Sequence, residues 1–359
     1  MERVIVGLSG GVDSAVAALL LKRAGYDVIG VTLRTLGSGE DGQESRCCEI
    51  DDAREIAGAI GIPYYPFNCI SDFERLITKP FVEDYIRGLT PNPCIICNRL
   101  IKWEKMLYYA KVLKADKIAT GHYAFVVKLD NGRYTVKRAL HSEKDQTYML
   151  YRLTQDQLAS TLMPLGNLSK QEVRKIATEA GLPVASKPDS QEICFVTGKD
   201  YADYIENHAE RPLPGEGNFV DENGNVLGRH KGIIHYTVGQ RKGLGIALGH
   251  PAYVRKIDAA KNEIVLGSED GRYCRSLICK DLNFLSIEGI ESGDSLRCDV
   301  RVRYHHAGQS AVVENCGPGK ARVTFDSPVK YAAPGQSAVF YDSDGCIIGG
   351  GFIEEVIYG

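Results

Sequence analysis

The sequence predicts a doubly wound α/β domain on a parallel sheet, followed by two small all-β domains, the last a β-barrel. Three observations predict it. Apolar runs alternate with helical patterns through the first half. Capping and glycine-stop signals punctuate that rhythm. Beyond Arg211-Pro212-Leu213-Pro214-Gly215 the helical patterns give way to short strands and turns.

Residues 4–8 form a continuous apolar run, as expected of a parallel strand covered on both faces. A helix follows over about 13–24, stopped by Gly25. Residues 28–33 read as the second strand. A helix over 51–60 closes at Gly61 with Pro63 beyond it, and residues 64–68 read as the third strand. Ser71-Asp72-Phe73-Glu74 has capping-box spacing and predicts a helix opening there. Residues 99–113 are helical, and 117–120 form the fourth strand. Asp130-Asn131-Gly132 is a hairpin turn. Ser169 and Glu172 make a second capping box, with Gly181 ending its helix. Helical segments to His208 complete an α/β domain of residues 1–208. A central β domain spans 209–275, with a turn at Glu222-Asn223-Gly224, and the barrel spans 276–359.

A chain of 359 residues exceeds one ordinary core. Its 44% hydrophobic and 25% charged residues are those of a soluble globular protein, and no apolar run is long enough to span a membrane. Residues 3–8 enter a strand without a basic region or cleavage site, so no secretory signal is expected, and a cytoplasmic location is the expectation. The net charge of −3 does not advertise nucleic-acid binding, so any RNA contact must come from local basic patches. Eleven cysteines, an odd number, argue against a disulfide framework and for buried, metal-binding or reactive thiols.

Gly7-Leu8-Ser9-Gly10-Gly11-Val12-Asp13-Ser14 lies between the first strand and the first helix. Glycines allow close backbone approach, amides point inward and the helix start adds positive potential, which together make an anion site. Ser9 and Ser14 offer hydroxyl donors. Asp13 can organise Mg²⁺, whose shell is shared by carboxylate and phosphate oxygens. An ordinary glycine turn is the bland reading, but the Ser-Gly-Gly-x-Asp-Ser pattern is far more specific. The Gly-Lys-Ser/Thr ending of a Walker A loop is missing.

Thr90-Pro91-Asn92-Pro93-Cys94-Ile95-Ile96-Cys97-Asn98 leads into a helix, where a thiol gains thiolate character. Cys194 lies in the polar segment 189–195. Polar, loop-like surroundings favour reactive roles for Cys97 and Cys194. Cys69, Cys274, Cys279, Cys298, Cys316 and Cys346 are expected to be buried and structural.

The glycine-rich loop resembles that of the N-type ATP pyrophosphatases, the PP-loop or adenine nucleotide alpha hydrolase-like fold, which implies adenylation rather than phosphoryl transfer. The loop, residues 90–98, Gly121-His122-Tyr123-Ala124, Lys144-Asp145-Gln146, 189–195, 236–245 and 334–339 together resemble the tRNA-specific 2-thiouridylases, in order and over nearly the whole chain. That resemblance implies a tRNA-uridine 2-sulfurtransferase acting on C2 of the wobble uridine in tRNAs for Lys, Glu and Gln. ATP would adenylate uracil O2 and release pyrophosphate, bound by residues 7–14, with Leu33 on the adenine and Gly121 beside the nucleotide. A cysteine desulfurase or a sulfur-relay protein would load a persulfide on Cys194. Cys97 is the family's nucleophile, freeing the sulfur by forming a disulfide with Cys194, and the enzyme would be a monomer when free.

One position departs from the family. Cys94 stands where typical members have Asp, a residue assigned beside the target base or as acid/base. Related sulfur-inserting enzymes hold a [4Fe-4S] cluster on three cysteines, so Cys94, Cys97 and Cys194 also offer a cluster site, and the two routes stay open at this point. Zinc wants a fourth ligand that is not evident. By the same resemblance, tRNA contacts are expected at Asn92, Pro93, Cys94, His122, Lys144, Asp145, Gln146, Arg303, Tyr304 and Gln336. Arg229, His230, Lys231, Arg241 and Lys242 form the densest basic region, with Tyr236 interleaved, which suits backbone binding and base stacking. Cys47-Cys48 matches a family segment without suggesting a mechanism.

Rival functions are weaker. An amidating ligase needs ammonia delivery and has no use for Cys97 and Cys194. A pure RNA-binding module has no use for an intact phosphate loop. Thiolation at another position is opposed by the C-terminal match alone.

Overall fold

The computed structural model describes residues 1–37, 50–188, 193–196, 200–268 and 273–358. Cys47 and Cys48, and Asp189 to Glu192, lie outside the described residues.

The first domain is the expected parallel sheet. Strands β1 (Arg3–Gly7), β2 (Asp27–Arg34), β3 (Tyr64–Asn68), β4 (Lys117–Ala119) and β7 (Thr161–Leu162) lie in the order β3-β2-β1-β4-β7. Ile5 pairs with Ile29 on one side and Ile118 on the other, all buried. Such double-sided cover is why these strands read as continuous apolar runs. The order reverses between β1 and β4, so the crevice at their carboxyl ends is the ligand position of this topology. A hairpin of β5 (Ala124–Lys128) and β6 (Tyr134–Arg138), turned at Asn131-Gly132, leaves the sheet after β4.

Helices α1 (Val12–Arg23) and α2 (Ile50–Ile60) pack on one face and end at glycines with positive φ, Gly25 and Gly61. A helical run covers the other face: α3 (Ile70–Phe73), α4 (Lys79–Ile86), α5 (Pro93–Ile96) and α6 (Glu104–Val112), with π-helical turns at Glu74–Thr78 and Cys97–Trp103. The π-helical turn before α6 buries Trp103, whose Nε1–H donates to Thr161 Oγ1 at 2.8 Å. The helix does not open at Ser71 as its capping-box spacing predicts. The helix begins at Ile70 with Cys69 at its N-cap, and the Ile70 amide donates to Asn68 Oδ1, so Ser71 falls inside the first turn. Helices α7 (Gln155–Ala159), α8 (Lys170–Glu179) and α9 (Tyr201–His208) complete the domain. The box at Ser169 and Glu172 forms as expected, and Thr154 with Gln157 forms another that sequence reading missed.

The second half is all-β. Strands β8 (Gly217–Val220), β9 (Val226–His230), β10 (Tyr253–Asp258) and β11 (Glu263–Gly267) form a sheet in the order β10-β11-β8-β9. Strands β12 (Tyr273–Phe284), β13 (Ser295–Arg301), β14 (Gln309–Gly317), β15 (Lys320–Lys330), β16 (Ser337–Tyr341) and β17 (Ile347–Tyr358) close a barrel. Its core holds Cys274, Cys279 and Cys298. Burial pushes the Cys274 and Cys298 thiols up to about 12, and that of Cys279 higher still, which suits packed, unreactive sulfur. Cys69 and Cys346 are buried too, whereas Cys316 is exposed on β14 and is not the core residue expected.

The barrel docks on the α/β domain through buried polar contacts. Tyr148 Oη donates to Ser337 O at 2.9 Å, and Tyr151 Oη lies 3.0 Å from Ser337 Oγ. Thr135 Oγ1 donates to Ile347 O at 2.5 Å.

Candidate active site

The glycine-rich loop sits where the topology places a ligand. Ser14 Oγ donates to Gly11 O at 3.0 Å and accepts from the Ser9 amide at 3.2 Å, which folds the loop over the start of α1. The first-turn amides of α1 have no carbonyl in a preceding turn, as at every helix start, so they are available to an anion. Gly121, after β4, runs against the same turn. A Cβ there would lie 2.7 Å from the Asp13 carbonyl carbon and the Ser14 nitrogen, so only glycine allows this approach. Leu33 is buried at the end of β2.

Asp13 is held by two residues that sequence reading gave no role. Lys170 Nζ donates to both carboxylate oxygens, at 2.7 and 2.8 Å, and Tyr123 Oη donates to one at 2.7 Å. Lys170 opens α8, where a cation is unfavourable beside the positive end of the helix. A lysine next to an N-cap was therefore the one sequence hint that a distant carboxylate uses it. Tyr123 is fixed in turn by Gln146, whose Oε1 accepts from the Tyr123 amide at 2.9 Å.

The cysteine loop is braced from both sides. Asn92 caps α5 by accepting from the Cys94 amide at 3.2 Å, and Pro93 is buried at the first helical position. Asn98 Nδ2 donates to Met149 O at 3.0 Å. From the barrel side, the Thr90 amide donates to Pro334 O at 2.9 Å, and Gln336 Nε2 donates to Thr90 O at 2.8 Å. A Cβ on Gly335 would lie 2.9 Å from the Thr90 nitrogen, so this clamp also needs a glycine. Gln336, expected at tRNA, thus has its amide turned onto the cysteine loop.

Cys97 is 9% exposed and belongs to the same packed cluster as Leu33. Half-buried Cys194 packs against that cluster, and its neighbour Phe195 meets Phe73, Phe81 and Tyr204 at ring distances of 5.8, 5.1 and 5.1 Å. A cleft of about 250 Å³ lined by Thr35, Leu36, Phe73 and Tyr204 opens beside this segment. Among the described residues no three His, Cys, Asp or Glu side chains converge as metal ligands.

The other expected tRNA contacts separate into two groups. Arg241 and Lys242 are exposed on the loop before β10, and Lys144 is half-buried. Asp145, by contrast, does not reach the surface. Its side chain is 1% exposed, pairs with Arg301 of the barrel at 2.8 Å and accepts from Thr147 Oγ1 at 2.9 Å. Arg303 is half-buried, donating to Val238 O at 2.9 Å with its guanidinium over the Tyr331 ring. Burial pushes the His122 imidazole down to about 3, so it is neutral at pH 7, and its Nδ1 lies 2.9 Å from Thr120 Oγ1.

Family models match nearly the whole chain: a tRNA methyl transferase HUP domain over residues 2–198, a tRNA methyl transferase PRC-barrel domain over 202–268 and an aminomethyltransferase beta-barrel domain over 274–353. The tRNA-specific 2-thiouridylase MnmA of Lachnoclostridium phytofermentans is 50% identical, covering 98% of this chain and 99% of that protein. The protein of that name from Acetivibrio thermocellus is 49% identical over 98% and 99% of the two chains. That from Clostridioides difficile is 45% identical over 99% and 98%. With identity at this level from end to end, the chain belongs to the tRNA-specific 2-thiouridylase family.

Proposed function

We propose that the chain thiolates C2 of the wobble uridine of tRNA at the expense of ATP, carrying sulfur as a persulfide on Cys194 and releasing it through Cys97. The observation that supports this reading is that Cys97 and Leu33 are buried in one apolar core, against which half-buried Cys194 packs, in the domain whose phosphate loop lies at the sheet's crevice. Uracil O2 is a poor leaving group until AMP is attached. The loop amides and Ser9 hold the phosphates while O2 attacks the α-phosphate and pyrophosphate departs. Asp13 would hold Mg²⁺ through the carboxylate lone pairs left over from Lys170 and Tyr123, and the ion would neutralise the departing pyrophosphate. Cys97 then attacks the Cys194 sulfur that bears the extra atom. A Cys97–Cys194 disulfide forms, sulfide replaces AMP at C2, and an external dithiol resets the pair.

The partners of this reaction are tRNA and a cysteine desulfurase or sulfur-relay protein, met by a monomer in the cytoplasm. Among the described residues no helix is long and apolar enough to cross a membrane. Exposed Arg241 and Lys242 suit the tRNA backbone, with Lys144 and neutral His122 nearer the catalytic domain. Sulfur held on Cys194 needs no iron, and among the described residues no three His, Cys, Asp or Glu side chains are grouped as for a metal ion.

Purified protein, ATP, a desulfurase with cysteine and bulk tRNA test the proposal by nucleoside mass spectrometry. Wobble 2-thiouridine from colourless, iron-free protein is expected. No product in air or under anaerobic conditions would refute the reaction. Product that appears only with about four irons per chain would refute the persulfide route. A second result follows from the Asp13 bracket. Lys170→Met frees the carboxylate and is expected to slow pyrophosphate release about 100-fold. Unchanged release would show the ion pair to be incidental.

A further inference from the structure

Cys94 and Cys97 stand one helical turn apart. Asn92 caps that turn, Ile96 and Cys97 keep helical dihedrals (φ −70°, ψ −40° and φ −58°, ψ −44°), and the helix continues through Trp103 without a break. Helix geometry puts Cα atoms three residues apart at about 5 Å. A disulfide requires about 4.4–6.8 Å. The two sulfurs therefore need only side-chain rotation to bond, and such a bond ties no other segment down. The two thiols differ in access: Cys97 is buried at 9% exposure, while Cys94 is half-buried.

From this we infer that Cys94 is a resolving cysteine, which takes the oxidation left by each sulfur transfer off the Cys97–Cys194 pair. The inference rests on the persulfide route proposed above. After transfer, the Cys94 thiolate attacks the Cys97 sulfur. The Cys94–Cys97 bond forms, the Cys97–Cys194 bond breaks, and Cys194 leaves as a thiolate. One disulfide replaces another, so no oxidant or reductant is consumed in this step. A dithiol reductant then attacks the Cys94 sulfur, the more accessible end, and its second thiol completes the reduction, leaving Cys94 and Cys97 as thiols. The exchange returns Cys194 for reloading before reduction is finished, and it moves the disulfide from a packed interior to a position a reductant can reach.

The test follows the linkage directly. Full-length enzyme is loaded by a desulfurase with cysteine, then given ATP and tRNA for one turnover without added reductant. It is quenched with acid and N-ethylmaleimide and digested with trypsin unreduced. Residues 88–99 form one tryptic peptide holding both Cys94 and Cys97. The expected product is that peptide with an internal disulfide, with Cys194 alkylated. In Cys94→Ser and Cys94→Asp the same peptide should be cross-linked to the one containing Cys194. The ratio of steady rate to first-turnover rate, measured with dithiothreitol, should fall about tenfold. Recovery of the Cys97–Cys194 cross-link alone from the unsubstituted enzyme would overturn the relay and leave the persulfide route standing. Product formed with no disulfide at all would overturn both.

Discussion

Cys97→Ser and Cys194→Ser are each expected to yield no detectable wobble 2-thiouridine while binding tRNA within about twofold of the parent enzyme. The chemistry sets the size of the first effect. A hydroxyl can neither carry a persulfide nor attack one at neutral pH, because the reacting species is the thiolate. Loss of either sulfur therefore stops turnover outright instead of slowing it. The structure sets the second effect. Cys97 is buried and Cys194 half-buried, so neither presents much surface to RNA, and serine nearly matches cysteine in shape. Adenylation uses the phosphate loop and not these thiols, so each variant should still release about one equivalent of pyrophosphate per enzyme and then stall. Nucleoside mass spectrometry, filter binding and a pyrophosphate assay on the same preparations read all three quantities. A loss of tRNA affinity beyond tenfold would make the cysteines structural, and residual multiple turnover would move the sulfur elsewhere.

Features written in a few consecutive residues were legible in the sequence. The phosphate loop, the glycine stops at Gly25 and Gly61, and the Ser169 capping box all rest on contacts within about one turn of helix, so pattern and structure agree. Even there a local pattern can mislead: Ser71 has the right spacing, but the helix has already begun at Ile70, whose amide donates to Asn68. What sequence could not show is pairing across long separations. Lys170 meets Asp13 157 positions away, Asp145 meets Arg301 across 156, and Gln336 meets Thr90 across 246. These contacts decide which polar residues face outward. Lys144, Asp145 and Gln146 read alike as a recognition segment, yet the backbone turns Asp145 into the barrel interface and spends the Gln146 carbonyl on Tyr123. Cys316 shows the converse: an alternating strand gives each residue an equal claim to either face, and this one points out.

Asp145→Ala is expected to lower stability by about 3–5 kcal/mol, the usual cost of stripping one partner from a buried ion pair. The tRNA affinity of the folded fraction should change less than about threefold, since the side chain is 1% exposed and lies inside the seam between barrel and α/β domain. The two halves of the pair are not equivalent. Without Arg301, the Asp145 carboxylate keeps Thr147 Oγ1 at 2.9 Å and the Thr147 and Ala139 amides at 3.3 and 3.4 Å. Without Asp145, the Arg301 guanidinium is left over the Tyr341 ring at 5.1 Å, with a buried Nε that has no hydrogen-bond partner among the described residues. Arg301→Met should therefore cost less than Asp145→Ala, the reverse of what a tRNA-contacting arginine would suggest, because a phosphate-binding Arg would weaken RNA binding and leave stability alone. Lys144→Ala provides the contrast from the adjacent position. It should leave the urea midpoint in place, weaken tRNA binding uniformly and reduce the salt slope by about one. Urea unfolding of the three variants beside salt-dependent tRNA titrations separates the roles. If Asp145→Ala instead kept its midpoint and lost RNA affinity, the carboxylate would have to leave the seam when tRNA binds, and the barrel would move with it.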